Sequence, residues 1–339
     1  MNSKGVAVID AAEVARLLPP GECIDAMREA FLALARGEAI LPLRQVVPVP
    51  GGAGALYSMP SFLPSPKGGI LAVKLITLFH GNAAVGLESH QGVIVVFGGD
   101  RGEPLALIEA ASVTALRTAA VSALATRLLA RPDSRSLAIV GTGVQAKSHL
   151  DAMLAVLPIE RVRIWGRTTE RARALAATAR DRYPIAIEVA ATAQAAVRDA
   201  DVVCTVTAAR EPVVHGDWVR PGTHINAVGS STPGARELDS GVVARAAVFV
   251  DSREAALAEA GDLLIPIREG AITREHIRAE LSALVAGTAT ARENRDQVTL
   301  FKSLGLAVED AAAARRIYER ALELGAGTRI RLSEAAPPG

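Results

Sequence analysis

Residues 136–146 read SLAIVGTGVQA, and this stretch constrains the fold more than any other in the chain. A short apolar run stops at Gly141, glycine returns at Gly143, and Ala146 stands where the third small residue of a dinucleotide fingerprint belongs. Each position answers a physical demand. Gly141 permits the tight turn from strand to helix, Gly143 lets a pyrophosphate approach the backbone, and Ala146 lets the helix pack close to the strand. The helix that follows opens with unpaired N–H groups and a partial positive charge, which suit phosphate. Gly141, Thr142, Gly143, Val144, Gln145 and Ala146 are therefore expected to bind a nucleotide cofactor.

The flanking sequence supplies the context such a turn requires. Residues 145–156 have helical spacing, with Ala146, Leu150, Met153 and Leu154 on one side. A second strand follows at 162–165, then Gly166, Arg167, Thr168 and Thr169, then an Ala/Arg-rich helix to Arg180. An NAD site usually places an acid at the end of this second strand, on the ribose 2′-OH. No acid stands there. Arg167 and Thr168 instead offer the donors that a 2′-phosphate needs. NADP(H) is expected in preference to NAD(H), which stays possible. Further apolar runs at 201–207, 224–229 and 247–250 continue one parallel sheet, and 299–304 is a short run leading into Gly305.

The part before the fingerprint has another character. Helical patterns cover 11–18 and 24–37, and short strands are expected at 45–49, 55–59, 70–78, 92–97 and 104–109. A long Ala-rich helix over 112–129 leads into the fingerprint, and an amphipathic helix over 308–324 closes the chain. The fold class expected is α/β, a Rossmann-type parallel sheet domain inserted into an α+β domain. Its expected parts are an α+β domain over 1–115, a dinucleotide domain over 116–305, a helix over 306–330 returning to the first domain, and a loose tail over 331–339.

Composition excludes several classes of partner. Of the 339 residues half are hydrophobic, so a sizeable core is available, while aromatics make up only 3% and net charge is +1. That argues against a nucleic-acid platform or an anionic membrane as partner. The two cysteines, Cys23 and Cys204, have no metal or redox spacing, and the histidines show no ligand spacing, so no metal site is expected. Asp10 and Glu13 stand where a secretory apolar run would lie, and a cytoplasmic protein is expected.

In an open parallel sheet ligands bind beyond the carboxyl ends of the strands. Thr205, Thr207 and the run Gly229, Ser230, Ser231, Thr232, Pro233 stand there. The first domain offers basic residues in apolar surroundings: Arg44, Lys74 within LAVKLI, and Arg117 within LRTAA. A lysine in so apolar a strand is costly to bury unpaired. Each has the alternative of a structural ion pair; together they suit a small carboxylate.

Ordered blocks along the chain carry a family resemblance: Ser58-Met59-Pro60, Val73-Lys74-Leu75, Ser89-His90-Gln91-Gly92, Arg117-Thr118-Ala119-Ala120, the fingerprint, Ile225-Asn226-Ala227-Val228-Gly229, Arg236-Glu237-Leu238-Asp239 and Phe301-Lys302-Ser303-Leu304-Gly305. On these the chain resembles the ornithine cyclodeaminase/mu-crystallin family over nearly its whole length. The resemblance implies a homodimer built through the first domain and one nicotinamide cofactor per Rossmann domain. It implies that Arg44, Lys74 and Arg117 grip a substrate carboxylate beside Met59, and that Thr118, Val228, Gly229 and Lys302 join Thr205 and Thr207 at the cofactor. The expected ligand is a small imine or amino acid bearing a carboxylate.

One position separates the activities of such a family. Cyclodeaminases and an alanine dehydrogenase within it carry an aspartate where this chain, aligned from Pro233-Gly234 and Glu237-Leu238, has Ser231. Serine donates a hydrogen bond but is a poor base at neutral pH. The resemblance therefore implies a reductase of cyclic imino acids, of the Δ1-pyrroline-2-carboxylate or Δ1-piperideine-2-carboxylate type, with Lys74 and Ser231 (beside Thr232) nearest the chemistry. Ornithine cyclodeaminase, alanine dehydrogenase-like activity and a non-catalytic nucleotide- or ligand-binding dimer are the alternatives.

Overall fold

The structure is a computed structural model and describes residues 5–66 and 68–332. It divides into two compact units, cut between Arg117 and Thr118 and again between Gly305 and Leu306. The expected loose tail falls largely on 333–339, outside the described residues.

The chain opens with β1 (Val6–Ile9), α1 (Ala11–Leu17) and α2 (Pro20–Ala35). Asp10 and Glu13 cap α1 reciprocally: the Glu13 amide donates to Asp10 Oδ1 at 2.9 Å and the Asp10 amide to Glu13 Oε2 at 3.4 Å. Helix α2 begins four residues earlier than its apolar spacing suggested, because Pro20 sits at the first helical position, where its missing N–H costs nothing. Strands β2 (Gln45–Pro48), β3 (Ala55–Leu63), β4 (Ile70–Leu78), β5 (His90–Gly98) and β6 (Pro104–Glu109) then form antiparallel neighbours. Helix α3 (Ala110–Leu129) carries the chain into the second unit.

That unit is built from β7 (Ser136–Val140), α4 (Val144–Leu154), β8 (Arg161–Trp165), α5 (Thr169–Arg182), β9 (Ala186–Val189), α6 (Ala193–Val197), β10 (Val202–Thr205), β11 (His224–Ala227), α7 (Ser240–Arg245), β12 (Ala247–Val250), α8 (Arg253–Glu259), α9 (Gly261–Arg268), β13 (Ile277–Glu280), α10 (Leu281–Val285) and β14 (Thr299–Lys302). Its eight strands run in the order β13-β12-β14-β11-β10-β7-β8-β9, every pair parallel. Strands β7, β10, β11, β12 and β14 are buried at every residue, as a sheet covered on both faces requires.

The chain returns to the first unit through α11 (Ala307–Leu324) and β15 (Thr328–Ile330). The sheet there has the order β15-β1-β6-β5-β4-β3-β2, and only the β1–β6 pair is parallel. One face of β3 and β4, with Met59, Ser61, Ala72, Lys74 and Ile76, is buried, and the Ser61 hydroxyl donates to the Ala307 carbonyl at 3.0 Å. The first eight residues of α11 are buried on every side; the amphipathic pattern holds only beyond them. Among the described residues no helix is long and apolar enough to cross a membrane.

Candidate active site

The fingerprint turn lies at the carboxyl end of β7, and its geometry fits a dinucleotide. Gly141 has φ +134°, and a Cβ there would lie 2.7 Å from the Val206 carbonyl oxygen, so only glycine serves. At Gly143 a Cβ would meet nothing within 4 Å. The space over that residue is open to a group from outside. Gly143 also caps α4 without a side-chain hydrogen bond, which leaves the helix N-terminus to a ligand. Ala146 is fully buried against the sheet. The exit of β8 presses on the same turn: Gly141 N–H donates to the Trp165 carbonyl at 2.8 Å, and a Cβ on Gly166 would collide with Thr142. Arg167 and Thr168 follow directly and are exposed; Thr168 caps α5 without a side-chain bond of its own to the helix. His149, beneath the turn, bonds Ser122 at 2.9 Å and the Gln145 carbonyl at 2.8 Å, and burial pushes its pKa down to about 4, so it is a neutral packing residue.

In the first unit the basic residues do come together, but they are not alone. Lys74 on β4 and Arg117 on α3 are 2% and 4% exposed. Lys74 Nζ lies 2.7 Å from Asp310 Oδ2, Arg117 Nε 3.1 Å from Asp310 Oδ1, and Arg117 donates to Glu309 Oε2 at 2.7 Å. Asp310 thus bridges both cations from the first turn of α11. Neither acid was singled out in the sequence, where both fall in the amphipathic helix expected over 308–324. The signal that could have found them is their position in an alanine-rich run too apolar to face water.

The energetics follow from burial. Desolvation pushes Lys74 down to about 8, and Asp310 keeps it from falling further, while Arg117 and Arg44 lower it. Burial also opposes charge on Arg117, but Asp310 and Glu309 outweigh it and hold the guanidinium above its ordinary value. Lys74 and Arg117 sum to zero with Asp310 and Glu309. Arg44 is half-buried and near enough to act on Lys74. Met59 pairs with Lys74 in register on the neighbouring strand and is buried on the same face.

The remaining cofactor residues divide. Thr207 and Gly229 lie half-buried at the exits of β10 and β11, with Val228 beside Gly229; Ser231 and Thr232 are exposed just beyond, and Thr118 is buried on α3. Thr205 and Lys302 depart from expectation. Both are 0% exposed. The Thr205 hydroxyl donates to Glu237 Oε2 at 2.8 Å, and Lys302 Nζ pairs with Asp262 Oδ2 at 3.1 Å. Neither has a surface of its own, and each is tied to a buried acid. Cys204 is likewise interior, its thiol pushed by burial up to about 12, which leaves it inert.

Comparison with known proteins places this geometry among relatives. The family model described as ornithine cyclodeaminase/mu-crystallin family matches residues 5–325. The ketimine reductase mu-crystallin of Mus musculus is 42% identical over 303 residues, 89% of this chain and 91% of that protein. The Thermococcus litoralis Δ1-pyrroline-2-carboxylate reductase, solved in complex with NADH and L-proline, is 41% identical with a TM-score of 0.93 over 96% of this chain and 100% of that one. An archaeal alanine dehydrogenase dimer with bound NAD is 31% identical, with a TM-score of 0.90 over 97% and 99% of the two chains.

Proposed function

This chain belongs to the ornithine cyclodeaminase/mu-crystallin family, and from that premise we propose that it is an NAD(P)H-dependent reductase of small cyclic imino acids of the Δ1-pyrroline-2-carboxylate or Δ1-piperideine-2-carboxylate type. The observation that carries this reading over cyclodeamination is the exit of β11. Its exposed tip holds the hydroxyls of Ser231 and Thr232, and the first carboxylate after it, Glu237, is buried and committed to Thr205, Thr207 and Gly229. Ornithine cyclisation needs a base near the amine through oxidation, ring closure and loss of ammonia; imine reduction needs only hydride and one proton.

When bound, the reduced nicotinamide supplies that hydride to the C=N carbon. The fingerprint residues Thr142, Gly143, Val144 and Gln145 hold the pyrophosphate, and Thr118, Thr207, Val228 and Gly229 belong to the same cofactor site. Arg44, Lys74 and Arg117 take the substrate carboxylate, with Met59 as apolar floor. In this reading Lys74, an ammonium at neutral pH, keeps the imine protonated, the form that accepts hydride best.

The decisive experiment offers both cyclic imines to the purified protein with NADPH and NADH, beside ornithine with NAD and pyruvate with ammonia or methylamine. Imine-dependent loss of the reduced cofactor is expected. Proline and ammonia from ornithine without imine reduction would overturn the reading, and tight cofactor binding with no turnover of any substrate would favour a ligand-binding dimer. The pH profile carries its own sign. The proton-bearing form of Lys74 is lost as pH rises, so kcat/KM for the imine is expected to fall above a pH near 8. A profile flat to pH 10 (roughly the range of an ordinary lysine) would remove Lys74 from proton delivery.

NADPH is the proposed cofactor because Arg167 and Thr168 stand exposed where an NAD enzyme has an acid. The expected result for Arg167→Ala is a loss of NADPH affinity of roughly 10- to 100-fold, the worth of a charge-assisted contact, with NADH changed by less than about threefold, within the ±0.5 kcal/mol of an ordinary surface substitution. Equal losses would show that Arg167 does not read the phosphate.

The proposed partner of the chain is a second copy. Leu56, Leu71 and Val93 share the sheet face opposite Lys74, and each is about two-fifths exposed, at 39%, 43% and 40%. An apolar sheet face of this kind needs a cover, and the archaeal alanine dehydrogenase relative is a dimer. A sedimentation mass of a single chain would refute the pairing.

A further inference from the structure

Thr205, Thr207 and Gly229 converge on one acid, Glu237, and Lys302 reaches it through Asp262. We propose that Glu237 is a positioning residue for imine reduction: it fixes the loop that carries Ser231 and Thr232 at the exit of β11. The inference rests on the functional reading above and adds to it a residue with no surface of its own.

The geometry is that of a clamp. Glu237 Oε1 accepts the Thr207 amide at 2.6 Å, and Oε2 accepts the Thr205 hydroxyl at 2.8 Å and the Gly229 amide at 2.7 Å. One buried carboxylate therefore ties the exit of β10 to the exit of β11. Its own amide and that of Leu238 donate to Asp262 Oδ1 at 2.7 and 3.0 Å, and Asp262 pairs with Lys302 at the end of β14. The base of the loop is closed again by Ser230, whose hydroxyl donates to the Ala235 carbonyl. Gly261 at the start of α9 leaves no room beside the Thr232 and Ala235 carbonyls for a Cβ, so the far side of the loop is packed as well. Only residues 231–234 remain exposed. The result is a short tip on a rigid base, which is how a hydroxyl is held to the tolerance that hydride transfer needs.

A carboxylate is needed at this point because two backbone N–H groups point at two different oxygens. A glutamine has one carbonyl oxygen. Whichever oxygen site it fills, its NH2 group faces either the Thr207 or the Gly229 amide, and that amide loses its acceptor; the Thr205 hydroxyl can turn to accept instead. Burial and Asp262 raise Glu237 above the usual carboxylate range, while Lys302, the Thr207 amide and the Thr205 hydroxyl favour its charged form. Removing that charge while keeping the shape does not leave Lys302 unpaired, so Glu237→Gln is expected to fold.

The test compares Glu237→Gln with wild type in three measurements: cofactor Kd by fluorescence, kcat for the imine, and amide exchange at Thr207 and Gly229. The expected result is a kcat lower by about 10- to 100-fold, as a displacement near 1 Å produces, a cofactor Kd weakened by a smaller factor because Thr207 and Gly229 border the cofactor, and faster exchange at one or both amides. Unchanged kcat with a lowered thermal midpoint would make Glu237 merely structural and overturn the proposal. Should the variant fail to fold, Thr205→Val removes a single donor and keeps the side-chain shape; kcat is then expected to fall by a smaller factor and by more than the cofactor Kd weakens, and wild-type kcat overturns the proposal. A wild-type protein that reduces no imine overturns the functional reading instead, and in that case unchanged exchange in Glu237→Gln still decides against the clamp.

Discussion

Arg117→Met is expected to lower kcat/KM for the imino acid by roughly 10²- to 10³-fold, the worth of a lost charge-assisted contact to a carboxylate and of the misplaced neighbours it leaves. The same change is expected to destabilise the fold by about 3–5 kcal/mol, because Glu309 loses its guanidinium partner and Asp310 keeps only Lys74, both acids staying buried. The two effects have different causes and can be separated. Pairing Arg117→Met with Glu309→Gln removes the charge that the guanidinium had balanced and should recover much of the stability, read by thermal unfolding, while kcat/KM stays low. Arg117→Lys is expected to resemble Met more than wild type: one ammonium cannot span the fork between Glu309 and Asp310 that the guanidinium fills. Wild-type kcat/KM in the single variant would mean that Arg117 is an interior ion and nothing more.

How much of this was legible in the sequence depends on how local each demand is. The fingerprint was legible because its constraints are written in adjacent residues: the positive φ at Gly141, the open space at Gly143 and the buried Ala146 are all needs of one turn. The parallel sheet was legible for a related reason, since strands buried on both faces read as continuous apolar runs. The cations were legible as a group because Lys74 and Arg117 are expensive in apolar surroundings. Their partners were not. Asp310 is 193 residues from Arg117 in the chain, and the alanine-rich run around it hints at burial without saying which cation it meets. Thr205 and Lys302 were misread for a different reason. Position at a strand's carboxyl end places a residue at the rim of the sheet, but in a strand buried on both faces it does not say whether the side chain opens to the ligand or turns to a neighbouring acid. Short elements such as β1 and β15 carry too few residues for a period to show, and they form only because the neighbouring strands supply their partners.

The fingerprint also permits an experiment in which binding and folding part company. Gly143→Val is expected to weaken cofactor binding by at least roughly 100-fold, about 2.7 kcal/mol, with the thermal midpoint of the unliganded protein nearly unchanged. Gly143 has φ −85° and ψ −170°, an extended conformation in which valine is at home, and a Cβ there meets nothing within 4 Å of the protein itself. The new Cβ stands clear of the protein and in the way of a ligand lying on the N-terminus of α4, where close approach to the backbone is the source of the affinity. Gly141→Ala is the counter-case. Its φ of +134° and the Val206 carbonyl 2.7 Å from the new Cβ put the strain into the fold, so unfolding and loss of cofactor should appear together. Isothermal titration with both nicotinamide cofactors, beside a melting curve for each variant, reads the contrast directly. If Gly143→Val binds cofactor like wild type, the pyrophosphate does not lie on this turn, and the argument from Arg167 to a 2′-phosphate fails with it.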